Sequence, residues 1–295
     1  MNIILQRGSA MHKLDVTAKD GTAISAVAYN VEKNDKKGVV IVSHGFGEHS
    51  GIYVDTAERL GQAGYACVLF DQRGHGAPPD DRKNWFGVIE NYRHFLDDIA
   101  SVTVAVRQMA PETPIALYGH SMGGNIVANA LLRNDATAYS CAILEAPWLG
   151  LLKKYSSPAT ALAKLLGALS SKLTIVSKLS VNDLTGDPSK TEGYKADPLY
   201  HNRISFRMFA GINDGCAYAI DNAARLPVPV FLAYAGKDRI LSNQATLDFA
   251  ANAGDMVTVR EYDSCHAIHN DLKRDEYYRD AIAFLDKYCQ VEQRG

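Results

Sequence analysis

The stretch from Ile115 to Gly124, IALYGHSMGG, decides the fold of this chain. It starts as an apolar run of strand length, places Ser121 at the centre of a G-x-S-x-G pattern, and leads into helical periodicity up to Arg133. A strand that enters a helix through such a tight turn presents the central side chain at the carboxyl edge of a sheet. Small residues at Gly119 and Gly123 let strand and helix approach each other, and the helix start favours a developing negative charge. The stretch therefore predicts a nucleophile at Ser121.

Apolar runs of strand length alternate with helix-length periodic segments through most of the chain. The middle runs are apolar throughout, as in parallel strands covered on both faces. This alternation predicts a doubly wound α/β fold with a mostly parallel central sheet flanked by helices. Strands are predicted at residues 13–18, 22–31, 38–43, 66–70, 114–118, 141–144, 230–234 and 257–262, and helices at 53–63, 92–110, 123–133, 244–253 and 276–290.

One segment interrupts this alternation, and it is predicted to be an insertion after the sixth core strand. No convincing strand pattern occurs between Pro147 and Pro229. Residues 148–205 are predicted to form a helical cap, with residues 1–147 and 206–295 as the core. A stripe of apolar residues at helical spacing predicts packing of the first cap helix over the sheet edge, and residues 206–226 are predicted to return into the core. The stripe comprises Leu162, Leu165, Leu166, Leu169, Leu173 and Val176.

Composition excludes several classes of protein. The 295 residues are 47% hydrophobic and 22% charged, with a formal charge of −2, so the chain can bury a core and has no basic excess for nucleic acid. No apolar run approaches the roughly 18 residues of a membrane span, and the first apolar run is too short for a signal peptide. Five scattered cysteines without a Cys-x-x-Cys pair favour a reducing cytoplasm over a disulfide framework.

A serine nucleophile needs a base, and the base needs an acid that orients it. In a fold of this kind the chain order is serine, acid, histidine. Asp238 follows the predicted strand at 230–234 and is the acid expected here; Glu145, at the end of the preceding strand, is a rival. His266 is the candidate base and His269 its competitor. Spacing alone does not choose between the two histidines.

The tetrahedral intermediate of acyl transfer needs hydrogen-bond donors for its oxyanion. One is expected to be the backbone N–H of Met122, which follows the nucleophile. The other is expected from the loop HGFGEH at 44–49, where Gly45 and Gly47 let the backbone approach a substrate; the backbone N–H of Phe46 is assigned to it. Because backbone performs this role, changing the Phe46 side chain should matter much less than changing Ser121.

The sequence predicts no metal and no cofactor. Cys265, His266 and His269, or His44 and His49, offer ligand atoms, but neither set has an acid at the spacing of a zinc-protease helix. No G-x-G-x-x-G pattern and no phosphate-binding loop occurs, so nucleotide and nicotinamide binding are not supported. The motif RGHG at 73–76 is expected to be a structural turn after a strand.

Taken together, the motifs resemble the monoacylglycerol lipase and lysophospholipase group of the α/β-hydrolase superfamily. The resemblance runs from about Asp20 to near the C-terminus and is weakest in the insertion. It implies an α/β-hydrolase fold and a cofactor-free serine carboxylester hydrolase that forms an acyl-enzyme on a lipid-like ester. It also implies Ser121, Asp238 and His266 as the triad. The motifs, in chain order, are HGFGEHSG at 44–51, DQRGHG at 71–76, GHSMGG at 119–124, DPL at 197–199, GKDR at 236–239 and HAIHND at 266–271.

The resemblance further implies contacts with the polar head of a substrate. Glu48 and His269 stand at positions that lie near the bound head group in these lipases. Ile52 replaces an arginine that is usual before the tyrosine, and Glu145 replaces a small residue, so monoacylglycerol itself is less favoured than ester hydrolysis in general. Trp148, the first residue of the insertion, completes the predicted substrate contacts.

Other functions are weighed beside this one. The alternatives are an esterase for small aromatic or plant-derived esters such as feruloyl esters, an aminopeptidase-type amide hydrolase, and a low-turnover ligand-binding homologue. Acyl-chain dependence separates the esterases, and labelling of Ser121 by a fluorophosphonate separates a reactive serine from an inert binder.

The predicted cap also carries a charge pattern of its own. Residues 148–205 contain eight Lys and Arg against four Asp and Glu, so the segment is +4 and the rest of the chain −6. A basic segment with an apolar stripe predicts a weak contact with an anionic membrane surface. A solvated outer helix face is the alternative explanation.

Overall fold

A nine-stranded sheet forms the centre of the molecule in this computed structural model, which describes residues 3–6, 9–32, 35–78, 85–153 and 157–290. Its central strands, at residues 38–43, 65–70, 115–120, 141–145 and 230–235, are almost completely buried, in agreement with their continuous apolar sequence. The strands of the sheet are β1 (Ile3–Gln6), β2 (Ser9–Thr17), β3 (Ala23–Tyr29), β4 (Gly38–Ser43), β5 (Tyr65–Phe70), β6 (Ile115–His120), β7 (Cys141–Glu145), β10 (Val230–Ala235) and β11 (Val257–Tyr262); a separate ribbon pairs β8 (Thr174–Val176) with β9 (Arg203–Ser205).

The order of the strands puts the ends of β6, β7, β10 and β11 side by side. The order across the sheet is β1-β2-β3-β5-β4-β6-β7-β10-β11. The first three strands are antiparallel and form a meander that ends on β5, whereas β5, β4, β6, β7, β10 and β11 are all parallel. The loops that follow the parallel strands therefore meet at one edge of the sheet, where ligands bind in open α/β folds.

Helices cover both faces of the sheet and divide its core into two layers. One layer packs under the helices at residues 93–109, 122–133, 206–222 and 243–253, and the other under those at 54–62 and 274–288. Apolar residues at helical spacing face the sheet in each case, as Val102 and Val106 do on α2. The helices are α1 (Val54–Gln62), α2 (Arg93–Met109), α3 (Met122–Arg133), α4 (Ser157–Leu169), α5 (Pro188–Ala196), α6 (Phe206–Asn222), α7 (Asn243–Ala253) and α8 (Arg274–Tyr288).

The predicted α/β architecture is confirmed, and all eight predicted core strands are present. The sequence missed β1, because a strand of four residues has too little periodicity to be recognised. The prediction that no strand lies between Pro147 and Pro229 was wrong, since β8 and β9 pair there in a short antiparallel ribbon. With three residues each, both strands are below the length at which alternation is informative.

The predicted packing of the apolar stripe on the first cap helix was also wrong. Leu162, Leu165 and Leu169 on α4 are 55%, 58% and 72% exposed, and Leu173 and Val176 after it are exposed as well. Helix α4 instead approaches α6 through Ala163 and Gly167, on its other side. Periodicity identifies an apolar face but not what the face contacts, and here small residues allow the close approach while the leucines point outward.

The return of the chain into the core is as expected. Helix α6 buries Met208, Ile212, Cys216 and Ala219 against the sheet layer and packs on α3. The boundaries 148 and 205 of the cap remain a prediction, although the segment between β7 and α6 (the cap segment below) contains α4, α5, β8 and β9. Lys154, one of its predicted cations, lies outside the described residues. In the part of the chain that the structure describes, every helix is too short or too polar to cross a membrane.

Candidate active site

Ser121 occupies the tight turn between β6 and α3, and its backbone is strained. Its φ of +52° and ψ of −115° lie in a region that residues with a side chain rarely adopt. A Cβ atom at Gly119 would collide with the backbone of Gly123, and one at Gly123 would collide with Ser43 on β4. Only glycine at both positions permits this turn. The serine is therefore presented at the sheet edge as the sequence predicted.

Asp238 and His266 meet at the same edge. Asp238 lies in the loop after β10 and His266 in the loop after β11, and His266 Nδ1 is 2.7 Å from Asp238 Oδ2. The other carboxylate oxygen accepts hydrogen bonds from the backbone N–H groups of Ile240 and Leu241. Both side chains are almost fully buried. The aspartate is thus held as an ionised acceptor that orients the ring.

The electrostatics of this pair favour a basic imidazole. Burial opposes the charge on His266, but the charge of Asp238 and the hydrogen bond that His266 donates to it outweigh burial and raise the pKa of His266 above its ordinary value. Burial likewise raises the pKa of Asp238, yet His266 and the two backbone donors lower it overall. A histidine with a raised pKa is a stronger base toward a serine hydroxyl.

The ring of His266 lies against the turn that carries Ser121. The ring of His120, the residue before Ser121, is 4.9 Å from that of His266, centroid to centroid. A hydrogen bond from the Ser121 hydroxyl to His266 is not among the contacts of the described residues. In ligand-free sites such bonds are often long and tighten when a substrate is bound. The structure thus brings the three predicted triad residues to one rim, with the acid and base paired.

A second acid–histidine pair, Glu145 and His269, lies next to the first. Glu145 Oε1 accepts from the backbone N–H of His269 at 2.9 Å and lies 2.9 Å from His269 Nδ1, and Glu145 also binds the Tyr118 hydroxyl. The side chains are 0% and 1% exposed. Burial raises the pKa of Glu145, but His269, His120 and the hydrogen bonds from His269 and Tyr118 outweigh burial and lower it to about 2. Glu145 therefore pairs with His269, and Asp238 with His266.

Glu48 is buried in a cage of donors. Its Oε2 accepts from the backbone N–H of Gly45 at 2.8 Å and from the Tyr53 hydroxyl at 2.6 Å, and its Oε1 accepts from the Tyr194 hydroxyl at 3.0 Å. The Tyr53 ring stacks on His269 with centroids 4.7 Å apart. Burial raises the pKa of Glu48, but nearby His120 and His269 and the Tyr53 hydrogen bond lower it overall. The sequence placed Glu48 in the site but gave no sign of Tyr194, which lies 146 residues away on α5.

The backbone around Phe46 and Met122 suits the predicted oxyanion donors. No described residue accepts a hydrogen bond from the backbone N–H of either one. The helix start at Met122 leaves its N–H without an intrahelical partner. The Phe46 side chain packs edge-on against His75, Trp148 and His201, so it shapes the wall behind the loop.

The remaining predicted contacts lie at the junction of core and cap segment. Ile52 is half-buried and packs against the core and against a small cluster formed by Leu184, Tyr194 and Ala267. Trp148 is buried, and its backbone N–H donates to the Ser121 carbonyl at 2.8 Å. Contact of either residue with a substrate stays a prediction.

Hydrogen bonds fasten one part of the cap segment to the histidine loop, residues 263–271. The backbone N–H of Ala267 donates to the Leu184 carbonyl at 2.7 Å, and Gly186 donates to Asp271 Oδ1 at 2.8 Å. Asp271 Oδ2 also accepts from the backbone N–H of Cys265. These contacts join residues about 80 positions apart, and nothing in the sequence indicated them. They hold the loop that carries His266 and His269 in place.

Two cavities differ in what lines them. A cavity of about 340 Å³ between the cap segment and the loops after β10 and β11 is lined by Asn182, Asp183, Asp238 and Cys265, among others. A larger one of about 530 Å³ lies between α2, α4 and α6 and contains none of the predicted site residues. Of the predicted site residues, only Asp238 lines the smaller cavity, and neither Ser121 nor His266 does.

His120, Glu145 and His269 also form a cluster of metal-ligand type. One ring nitrogen or carboxylate oxygen from each lies within 4.8 Å of the others, all in buried side chains. No spacing in the sequence indicates this set, because its members are spread over 150 residues. Hydrogen bonds from His269 and Tyr118 engage the carboxylate of Glu145.

Comparison with known proteins agrees with this geometry. A family model described as serine aminopeptidase, S33, matches residues 34–273. A monoacylglycerol lipase from Mycolicibacterium smegmatis is 31% identical over 208 residues, 70% of this chain and 72% of that protein. Phospholipase YtpA from Bacillus subtilis is 26% identical over 85% of this chain and 95% of its own length.

A solved structure extends the similarity to the fold. The crystal structure of Paleococcus ferrophilus monoacylglycerol lipase superposes with a TM-score of 0.78, at 24% identity, over 98% of this chain and all of that one. These findings confirm the expected α/β-hydrolase fold and the expectation of a hydrolase, and they support action on esters. The chain belongs to the serine aminopeptidase S33 family of hydrolases and, within the α/β-hydrolases, to the monoacylglycerol lipase group.

Proposed function

We propose that this protein is a serine carboxylester hydrolase that works through an acyl-enzyme. Ser121 attacks the ester carbonyl while His266 takes its proton, and Asp238 orients the imidazole and stabilises its charge. His266 then protonates the leaving alcohol and activates a water molecule that releases the acid. The observation that carries this proposal is the hydrogen-bonded pair of Asp238 and His266 beside the strained turn at Ser121.

The oxyanion of the tetrahedral intermediate would be bound by the backbone N–H groups of Phe46 and Met122. Their lack of other partners among the described residues supports this assignment. Such donors act without reorganisation at the moment of reaction, and loss of one typically costs on the order of 10²- to 10³-fold in rate. The proposed chemistry uses side chains and backbone of this chain alone and needs no metal or cofactor.

The proposed substrate is a lipid-like ester of the monoacylglycerol or lysophospholipid type. The names of the Mycolicibacterium smegmatis and Bacillus subtilis relatives support this class. Glu48, Ile52, Trp148 and His269 are proposed to surround the polar head. Glu48 and His269 are already engaged with neighbours, so they would contribute a fixed polar wall rather than mobile contacts. Ile52 offers no charge, which favours a head group smaller or less polar than one held by an arginine.

The outward-facing leucines of α4 support a contact with a lipid surface. Leu162, Leu165 and Leu169 form an exposed apolar stripe on α4, within a segment whose sequence has an excess of cations. An exposed apolar stripe in a basic segment suits the interface of an anionic bilayer. We expect the variant with serine at all three leucines to lose co-sedimentation with anionic vesicles, and Val104→Ser, a matched exposed site on α2, to keep it. Equal sedimentation of both variants with the vesicles, or no binding by the parent protein, would refute the proposed contact with a lipid surface.

An ester panel tests the proposed function. p-Nitrophenyl esters from acetate to palmitate, together with feruloyl and lysophospholipid substrates, measure acyl and alcohol preference. We expect the highest kcat/KM for medium or long chains, with activity and fluorophosphonate labelling lost in Ser121→Ala and retained in Ser101→Ala, a serine on α2. A preference for acetate or ferulate would indicate a small-ester esterase. Labelling without turnover would indicate a binding homologue and refute the enzymatic proposal.

A further inference from the structure

Glu145 ends β7 directly beside the turn at Ser121. Its carbonyl oxygen accepts the backbone N–H of Ser121 at 3.0 Å, and His120 is its neighbour in the register of β6 and β7. Ser121 is strained, so its conformation depends on the contacts that surround it. The main chain of Glu145 thus fixes one side of the turn that presents the nucleophile.

The side chain of Glu145 reaches the other half of the site. It accepts from both the backbone N–H and the ring of His269, which lies three residues after His266 in the same loop. The Tyr118 hydroxyl binds the carboxylate as well and fixes its position. A carboxylate with three donors inside a closed space has little freedom to move. The loop that carries His266 and His269 is therefore tied to the end of β7, whose backbone also holds the turn at Ser121.

We propose that Glu145 is a positioning residue that sets the geometry between Ser121 and His266, an inference that rests on the proposed function. Its backbone holds the turn of the nucleophile, and its carboxylate holds the loop of the base. One residue therefore fixes both partners relative to each other, although it is neither the acid of the triad nor in contact with the reacting atoms.

The charge of Glu145 has a second consequence, at His269. The groups that face this ring are Glu48 and Tyr53 from the loop and helical turn after β4, His120 from β6, and Lys190 from α5, besides Glu145 itself. Burial and Lys190 disfavour a charged ring, whereas the carboxylates of Glu145 and Glu48 favour it, with Glu145 the larger influence, and the pKa of His269 is raised. His269 Nε2 is buried and has no partner among the described residues. Without the carboxylate of Glu145, we expect the pKa of His269 to fall.

Two substitutions separate the hydrogen bonds between Glu145 and His269 from the negative charge of Glu145. Glu145→Ala removes both the hydrogen bonds and the charge, whereas Glu145→Gln removes the charge but keeps one carbonyl acceptor for His269. We expect Glu145→Ala to lower kcat by about 100-fold and Glu145→Gln by about tenfold, with smaller changes in KM, since a misplacement of about 1 Å costs on the order of 10²-fold. Rates are normalised by fluorophosphonate titration of Ser121. Glu261→Gln is the matched control, because Glu261 accepts from the Tyr234 hydroxyl at an exposed site.

A spectroscopic measurement follows the charge independently. In a pH titration of protein with ¹⁵N-labelled histidine, we expect the pKa of His269 to lie above its ordinary value in the parent protein and to be lower in both Glu145 variants. A partial recovery of kcat in Glu145→Gln beside an equally lowered His269 pKa would identify the hydrogen bonds between Glu145 and His269 as the main contribution. A purely structural role would lower the melting temperature and leave the normalised kcat unchanged, which would overturn the proposal.

The proposal stays testable if one variant does not fold. Tyr118→Phe removes a donor to the same carboxylate without touching His269, and we expect it to lower the normalised kcat less than Glu145→Gln does; no change in a folded Glu145→Gln variant refutes positioning. If the parent protein is labelled but turns over none of the esters, the proposed function fails. The positioning role of Glu145 is then tested by the rate of fluorophosphonate labelling, which should be slower in the Glu145 variants than in the parent protein. If Ser121 is not labelled in the parent protein, both proposals fail.

Discussion

Gly45 lies between the Glu48 carboxylate and the His120 ring, and replacing it with alanine tests the packing of the proposed oxyanion loop. A Cβ atom at this position would lie 2.7 Å from Glu48 Oε2 and 2.9 Å from His120 Cδ2. Neither neighbour moves easily. Glu48 Oε2 is held by the backbone N–H of Gly45 itself and by the Tyr53 hydroxyl, and the His120 ring lies between those of His266 and His269.

The size of the effect follows from these distances. Real Cβ atoms essentially never come closer than 3.0 Å to such neighbours, so the loop must shift by about 0.3 Å at least, and further to reach ordinary contact. The adjacent residue is Phe46, whose N–H is the proposed oxyanion donor. A shift of this size lies below the roughly 1 Å that costs about 100-fold, so we expect kcat to fall about 10-fold, and by no more than loss of one donor would cause. Overpacking should also cost about 1–3 kcal/mol of unfolding free energy.

The assay is hydrolysis of p-nitrophenyl butyrate, normalised to the fraction of Ser121 that a fluorophosphonate labels, with thermal unfolding measured in parallel. Gly193→Ala on α5 is the matched control, because a Cβ there meets nothing within 4 Å. Alanine is the better helix former, so this control should be stabilised by up to about 1 kcal/mol and keep its kcat. A folded Gly45→Ala variant with kcat within about twofold of the parent value would refute the packing argument, because the shift estimated above predicts a larger loss.

Three further predictions concern charge. Asp238→Asn should lower kcat by on the order of 10³- to 10⁴-fold without unfolding the protein, whereas Asp263→Asn, an exposed partner of Lys237, should not. The pKa of His266 is raised and its neutral form is the base, so kcat/KM should fall on acidification through a pKa above 6.5. In a pH profile, Asp238→Asn should move this acidic limb of kcat/KM to lower pH. Arg73→Met should cost about 3–5 kcal/mol in urea unfolding, since Asp98 would be buried without its two hydrogen bonds from Arg73.

The sequence predicted those parts of the fold that depend on local pattern. The buried strands β4 to β7 are continuous apolar runs. The turn at Ser121 requires glycine at positions 119 and 123, because a side chain at either position would collide with the backbone. The outward face of α4 could not be predicted in this way. Leu165 and Ala163 lie on the same helix, and only the contact with α6 decides which of them is covered.

The candidate site was predictable where chain order and strand ends define it, and not where distant segments meet. Ser121 and Asp238 follow strands, so topology alone brings them to one edge. The contact of Tyr194 with Glu48 and that of Leu184 with Ala267 join the cap segment to the core over long sequence separations. A single sequence carries no periodic signal for such contacts, because each depends on how two complete elements pack.

The pairing of acids and histidines follows from the same topology. The strand order β6-β7-β10-β11 puts two carboxylates, Glu145 and Asp238, at neighbouring strand ends, and one loop after β11 supplies two histidines three residues apart. Each carboxylate binds one ring, His269 for Glu145 and His266 for Asp238, so neither acid competes for the other's histidine. Glu145, the alternative acid considered for the triad, therefore pairs with His269 instead of His266. An Asp238→Asn variant should therefore not be rescued by Glu145, because releasing that carboxylate would leave His269 buried without its counter-charge.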